Sequence, residues 1–128
     1  MKNLIFYLGV SMLFTHELDA VLNNEWRVLP LTSWLPDEMG QLTFIAIHIP
    51  LFAILLALIS SRNELIRHRT RFGISVFLPI HGIFHLAFMT HENYEFESVI
   101  SNFLIFAGSV CGLLYLVLNQ KHWNLPIK

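Results

Sequence analysis

Ionisable side chains recur at similar depths within three long apolar segments of this chain. They are His16, Asp19, His48, His81 and His85. An ionisable group inside a membrane-spanning segment is costly and usually serves a function. Counted from the outer end of each segment, at 1.5 Å per helical residue, the set spans about 9–10 Å of depth. Because neutral imidazole and carboxylate oxygen bind zinc and iron, the set predicts a metal site in the outer half of a helical bundle.

The spacing within each segment favours a shared centre. His81 and His85 stand at i, i+4 and therefore point from one helix face, and His16 and Asp19 stand at i, i+3. Three histidines with a carboxylate suit tetrahedral zinc, with iron the second choice. A di-iron site requires about four carboxylates, more than these segments offer. Haem is disfavoured because two histidines one turn apart on one helix cannot be the axial ligands of one haem.

A catalytic version of this site would use a zinc-bound water against a lipid-like substrate that enters from the bilayer. Asp19 or Glu17 would then act as the general base. Arg27 would lie at the rim of the site and hold an anionic headgroup. Asn102 falls near the same level, and His91, at the outer water interface, could gate access, so both complete the predicted rim.

The composition predicts an integral membrane protein. Of the 128 residues, 55% are hydrophobic and 13% are charged, and the mean hydropathy is +0.57, whereas soluble domains carry about 25% charged residues. Four windows reach the length of roughly 20 apolar residues that a membrane span needs. They are 3–22, 41–60, 73–90 and 98–118. We therefore expect an all-α, four-helix membrane bundle that forms a single domain over residues 1–128.

The basic residues predict the orientation. All but Arg27 would lie on the side of the N-terminus. They are Lys2, Arg62, Arg67, Arg69, Arg71, Lys121 and Lys128. Basic residues in short loops favour the cytoplasmic side, so both termini are expected in the cytoplasm. The basic 61–72 loop suits anionic lipid headgroups, and its small surface argues against nucleic acid.

The stretch Thr15-His16-Glu17-Leu18-Asp19-Ala20-Val21, followed by Glu25-Trp26-Arg27, carries a family resemblance. It resembles small four-span bacterial membrane proteins of unknown function that have a His-Glu-Leu-Asp-Ala motif near the end of the first helix. The chain is also distantly similar to the HXXEE-motif membrane proteins, although Asp19-Ala20 stands where that motif has Glu-Glu. The resemblance implies a four-helix membrane protein and no particular activity.

Two metal-free interpretations remain open. The same residues could form the polar network of a proton-coupled transport module, or hold together a non-enzymatic membrane subunit. A transporter of four helices would need to oligomerise, and Gly108 and Gly112 form a small-xxx-small face that could support a homodimer. Alternatively, these glycines pack inside the protomer. His48 could also satisfy a carbonyl group that Pro50 leaves free.

Overall fold

Four long helices make up most of the computed structural model, which describes residues 1–123 and the side chains of residues 1–120. The helices are α1 (Lys2–Leu22), α2 (Asp37–Ile59), α3 (Glu64–Phe88) and α4 (Val99–Trp123). Each is long and apolar enough to cross a membrane, and the described residues contain no strand. The predicted all-α four-helix bundle is confirmed. Lys128 and the side chain of Lys121, both used in the predicted charge distribution, lie outside the described residues.

The helices extend beyond the apolar windows. α3 begins at Glu64 rather than near position 73, because the Asn63 side chain accepts hydrogen bonds from the N–H groups of Leu65 and Ile66 at 3.0 and 3.3 Å. Such a cap satisfies amide groups that have no partner within the helix. Most of the basic stretch predicted as a 61–72 loop is therefore helical.

α4 packs against both α1 and α3, and glycines allow the close approach. A Cβ atom at Gly112 would lie 2.7 Å from the carbonyl oxygen of Ser75 and 2.9 Å from Cβ of Leu78, both on α3. A Cβ atom at Gly108 would lie 3.6 Å from Cβ of Met12 on α1. Both glycines therefore lie against helices of the same protomer, and a dimer through them stays a prediction.

The connection after α1 turns back over the end of the bundle that we call the outer end, where residues 23–36 and 89–98 lie. Asn24 adopts a left-handed conformation with φ of 52°, and a 3-10 turn follows over Glu25–Arg27. Asparagine is one of the few residue types other than glycine that adopt this conformation readily. The reversal places Glu25 back against the bundle, where it is buried.

An outer clamp, formed by Trp26, Arg27 and Asp37, fixes this turn to the start of α2. The Asp37 carboxylate accepts a hydrogen bond from Nε1 of Trp26 at 2.9 Å and two from Nε and Nη2 of Arg27 at 2.7 and 2.8 Å. The two bonds from the guanidinium give the pair a defined geometry. Because Glu25 directly precedes Trp26, the clamp also fixes the backbone that carries the Glu25 carboxylate.

α2 is the least buried of the helices. Only Gly40, Phe44 and Ile59 are buried along it. At the outer end Trp26 packs on Phe44, with ring centroids 6.4 Å apart. A Cβ atom at Gly40 would lie 3.0 Å from the indole ring of Trp26, so glycine makes this contact possible. Most of the α2 surface is left for lipid.

Candidate metal centre

Three histidines and one carboxylate converge inside the outer half of the bundle. His16 comes from α1, His81 and His85 from α3, and Glu25 from the 3-10 turn. One ligand atom from each lies within 4.8 Å of the others. A metal ion with ligands at 2.0–2.1 Å in a tetrahedron holds them about 3.3 Å apart. The cluster is therefore close to the size of a zinc site.

The individual contacts show how the ligand atoms face one another. Nε2 of His85 lies 3.2 Å from Nε2 of His81 and 3.6 Å from Oε1 of Glu25. Nε2 of His16 lies 3.9 Å from Oε2 of Glu25. The His16 ring is 4.8 Å, centroid to centroid, from each of the other two rings. The four side chains thus surround one small volume from three separate elements.

His16 has no hydrogen-bond partner in this volume. Its side chain is 1% exposed, and neither ring nitrogen forms a hydrogen bond. A buried polar group without a partner costs about 1–3 kcal/mol, and almost all such groups in proteins are satisfied. A cation bound between His16 and the other three ligands would satisfy one nitrogen of this ring.

Burial, together with the nearby carboxylate of Glu17, raises the pKa of Glu25 to about 8. The metal-free protein therefore carries a proton on Glu25 at neutral pH. A metal ligand has to be deprotonated, so a cation in the cluster would displace this proton. The positive charge would at the same time remove the cost of burying the carboxylate.

Tyr94 contacts the cluster from the connection between α3 and α4. Its hydroxyl oxygen lies 3.1 Å from Nδ1 of His85. Burial and the nearby Glu25 raise the Tyr94 pKa to about 12, so the group stays a hydroxyl. If Nε2 of His85 binds a metal ion, Nδ1 carries the ring proton and donates a hydrogen bond to the Tyr94 hydroxyl oxygen. Such a partner fixes the orientation of a metal-binding histidine.

Replacing Tyr94 by phenylalanine is expected to weaken metal binding about 10- to 100-fold, the usual effect of losing a group that orients a ligand. Competition with a chromophoric zinc chelator measures the affinity. Tyr7→Phe is the matched control, because it removes a hydroxyl that accepts a hydrogen bond from Arg71 on α3 at 2.9 Å. Equal affinities for the two variants would contradict the role of Tyr94.

His48 and Glu17 form a separate pair beside the cluster. Nε2 of His48 lies 2.9 Å from Oε2 of Glu17, and Nδ1 lies 2.6 Å from the carbonyl oxygen of Phe44. Pro50 would leave free the carbonyl group of Ala46, four residues earlier. The contact of His48 with the carbonyl oxygen of Phe44 is therefore not the one predicted from Pro50. The structure brings His16, His81 and His85 together, whereas His48 contacts Glu17 instead.

Asp19 lies in the last turn of α1, three residues after His16. Its Oδ2 atom is buried and has no hydrogen-bond partner, and its charge contributes to the raised pKa of Glu25. Asp19 is outside the group of ligand atoms that lie within 4.8 Å of one another. After His16, Asp19 is nevertheless a second residue at the same end of the bundle with a buried polar atom that lacks a partner.

The predicted rim residues have different surroundings. Arg27 forms the outer clamp with Asp37. The Asn102 side chain donates to the carbonyl oxygens of Phe96 at 3.2 Å and Ser98 at 3.0 Å. His91 is exposed, and its Nδ1 accepts a hydrogen bond from the backbone N–H of Asn93 in the same connection at 3.2 Å. Arg27 and Asn102 therefore hold the backbone of the outer end.

Comparison with known families identifies the group to which the chain belongs. A model of DUF6713, a family of unknown function, matches residues 2–122. The chain belongs to this family. The match includes every residue of the cluster, and neither the curated proteins nor the solved structures contain a significant match. The distant similarity to the HXXEE-motif proteins stays a prediction.

Proposed function

We propose that this member of the family binds one divalent transition-metal ion within the membrane. The ligands are His16, His81, His85 and Glu25, and zinc is preferred over iron. The observation that carries the proposal is the buried His16 ring, which has no hydrogen-bond partner and faces the other three ligands. Three neutral imidazoles and one carboxylate match the ligand preference of zinc.

With a water molecule in place of one of these four ligands, the ion would supply Lewis acidity and lower the pKa of that water. Hydrolysis of a lipid-like substrate is the reaction class we assign to it. Glu17 would accept the proton of the attacking water, since its charge acts on Glu25 and its carboxylate is held by His48 at 2.9 Å. Asp19, with a buried oxygen that lacks a partner, would bind the ion as a further ligand or orient His16.

The proposed location is the inner membrane of a bacterium, with both termini in the cytoplasm. Arg62, Arg67, Arg69 and Arg71 support this orientation, because all lie at the end of the bundle opposite the cluster. Arg27, at the outer end, is neutralised by Asp37. The positive-inside rule then places the metal centre nearer the outer surface.

A proton-coupled module is the second candidate, and the His48–Glu17 pair is the observation that favours it. Nδ1 of His48 contacts a carbonyl oxygen and Nε2 contacts a carboxylate, so the pair holds an exchangeable proton inside the membrane. If the protein is such a module, vesicles that contain it should show proton movement without one equivalent of bound metal per chain.

Elemental analysis of the detergent-purified protein tests the proposal. We expect about one equivalent of zinc or iron per chain, which the His81→Ala, His85→Ala double variant loses. His91→Ala removes an exposed histidine of the same end and should keep the metal. If the wild-type protein contains no metal and takes none up when zinc is added, the metal proposal is wrong and the proton-coupled module takes its place.

A further inference from the structure

An apolar cavity adjoins the cluster on the side of α3 and the outer connection. It has a volume of about 210 Å³, and His81, His85 and Glu25 form part of its wall. The remaining wall is largely aromatic and aliphatic. It includes Val28, Leu29, Phe84, Phe88 and Phe96. Three of the four proposed ligand residues therefore contribute to the wall of this cavity.

The geometry points to this cavity as the binding site for a single lipid acyl chain, with the polar end of the chain directed to the cluster. The inference rests on the proposed metal centre for the position of the polar group. It adds the place where the acyl chain of that lipid-like substrate would lie and the residues between which the chain would enter. A hydrocarbon chain fits because the exposed wall is almost entirely apolar, and three ionisable residues on one side mark where its polar end would lie.

The mouth of the cavity would open towards lipid. Phe84 is 53% exposed on α3, and Pro30 is exposed on the outer connection. Both residues line the cavity. In the membrane, the exposed surface of a spanning helix is covered by acyl chains, so a chain can enter between these residues without crossing water.

The volume limits what can enter. An apolar cavity of about 150 Å³ stays free of water and takes up benzene. By the same measure, about 210 Å³ holds a hydrocarbon segment of roughly eight carbons. A longer acyl chain would leave the remainder in the bilayer. Because bilayer lipid is as apolar as the cavity wall, the cavity would position the chain rather than supply much binding affinity.

Photolabelling in nanodiscs tests the assignment. The probe is a phosphatidylcholine whose acyl chain carries a diazirine near the sixth carbon, and labelled peptides are mapped by mass spectrometry. We expect adducts on residues 28–30 and 84–88 to exceed those on the lipid-facing side of α2 by about fivefold, because the chain is held against the wall of the cavity. A diazirine near the end of the same chain should show no such enrichment.

Val28→Phe fills the cavity, and Val99→Phe is the matched control because Val99 is 88% exposed on α4. The filled variant should lose the enrichment while its metal content stays at the wild-type level, and the control should change neither. Phe88→Trp replaces Val28→Phe if that variant fails to fold. If metal-loaded protein is labelled equally at the cavity and on α2, the acyl-chain site is wrong and the metal centre is unaffected. If labelling of the cavity is enriched in a protein that binds no metal, the proposed metal centre is wrong.

Discussion

Replacing His16 by leucine is expected to abolish metal binding while the metal-free protein becomes no less stable. The loss of a direct ligand should lower the affinity by more than the roughly 10- to 100-fold that follows the loss of an orienting group. The same change removes a buried imidazole that has no hydrogen-bond partner and fills its place with an apolar side chain. The unfolding temperature of the metal-free variant should therefore equal or exceed that of the wild type.

His48→Leu is the control that separates the two effects. It leaves the partly buried carboxylate of Glu17 without its partner, which costs less than the about 3–5 kcal/mol of breaking a fully buried pair. We expect this variant to unfold at a lower temperature and to keep its metal. Metal lost from His48→Leu and retained in His16→Leu would reverse our assignment of the ligands.

Replacing Asp37 by alanine is expected to weaken metal binding about 10- to 100-fold, although Asp37 does not contact the cluster. The substitution removes the acceptor for Trp26 and Arg27. The turn that carries Glu25 is then free to move away from the histidines. Titration with zinc in the presence of a competing chelator measures the change.

Glu38→Ala removes a neighbouring, exposed carboxylate from the same first turn of α2. It matches the charge change of Asp37→Ala and should leave the metal affinity unchanged. Asp37→Asn keeps one acceptor for Trp26 and loses the charge that attracts Arg27, so an intermediate affinity is expected. A wild-type affinity in Asp37→Ala would show that the outer clamp does not position Glu25.

Depth along the helices could be predicted from the sequence, because it depends only on counting residues from the end of each apolar segment. Local spacing also predicts which side chains share one helix face. His81 and His85, one turn apart, do meet in the cluster. Direction around a helix is harder to predict when the helix is apolar on every side. α2 is such a helix, and His48 faces Glu17 rather than the other histidines.

The site predicted from the sequence omits Glu25, because this residue follows the end of the first apolar segment. Its position depends on the left-handed conformation of Asn24, which reverses the chain. The pair Asn23-Asn24 directly after an apolar segment is the signal that indicates such a reversal. Tyr94 depends on the path of a connection, for which the sequence offers no comparable signal.

The loose packing of α2 has a consequence for how this family diverges. The sequence of a helix that mainly contacts lipid is constrained by its hydropathy. Leu42 can therefore be replaced by other large apolar residues with little effect on stability. Gly40, Phe44 and His48 are exceptions, since each contacts another element. α4 is constrained by shape instead, because any side chain at Gly112 would collide with the backbone of α3. Neutral variation should therefore accumulate unevenly, fastest along the lipid-facing side of α2.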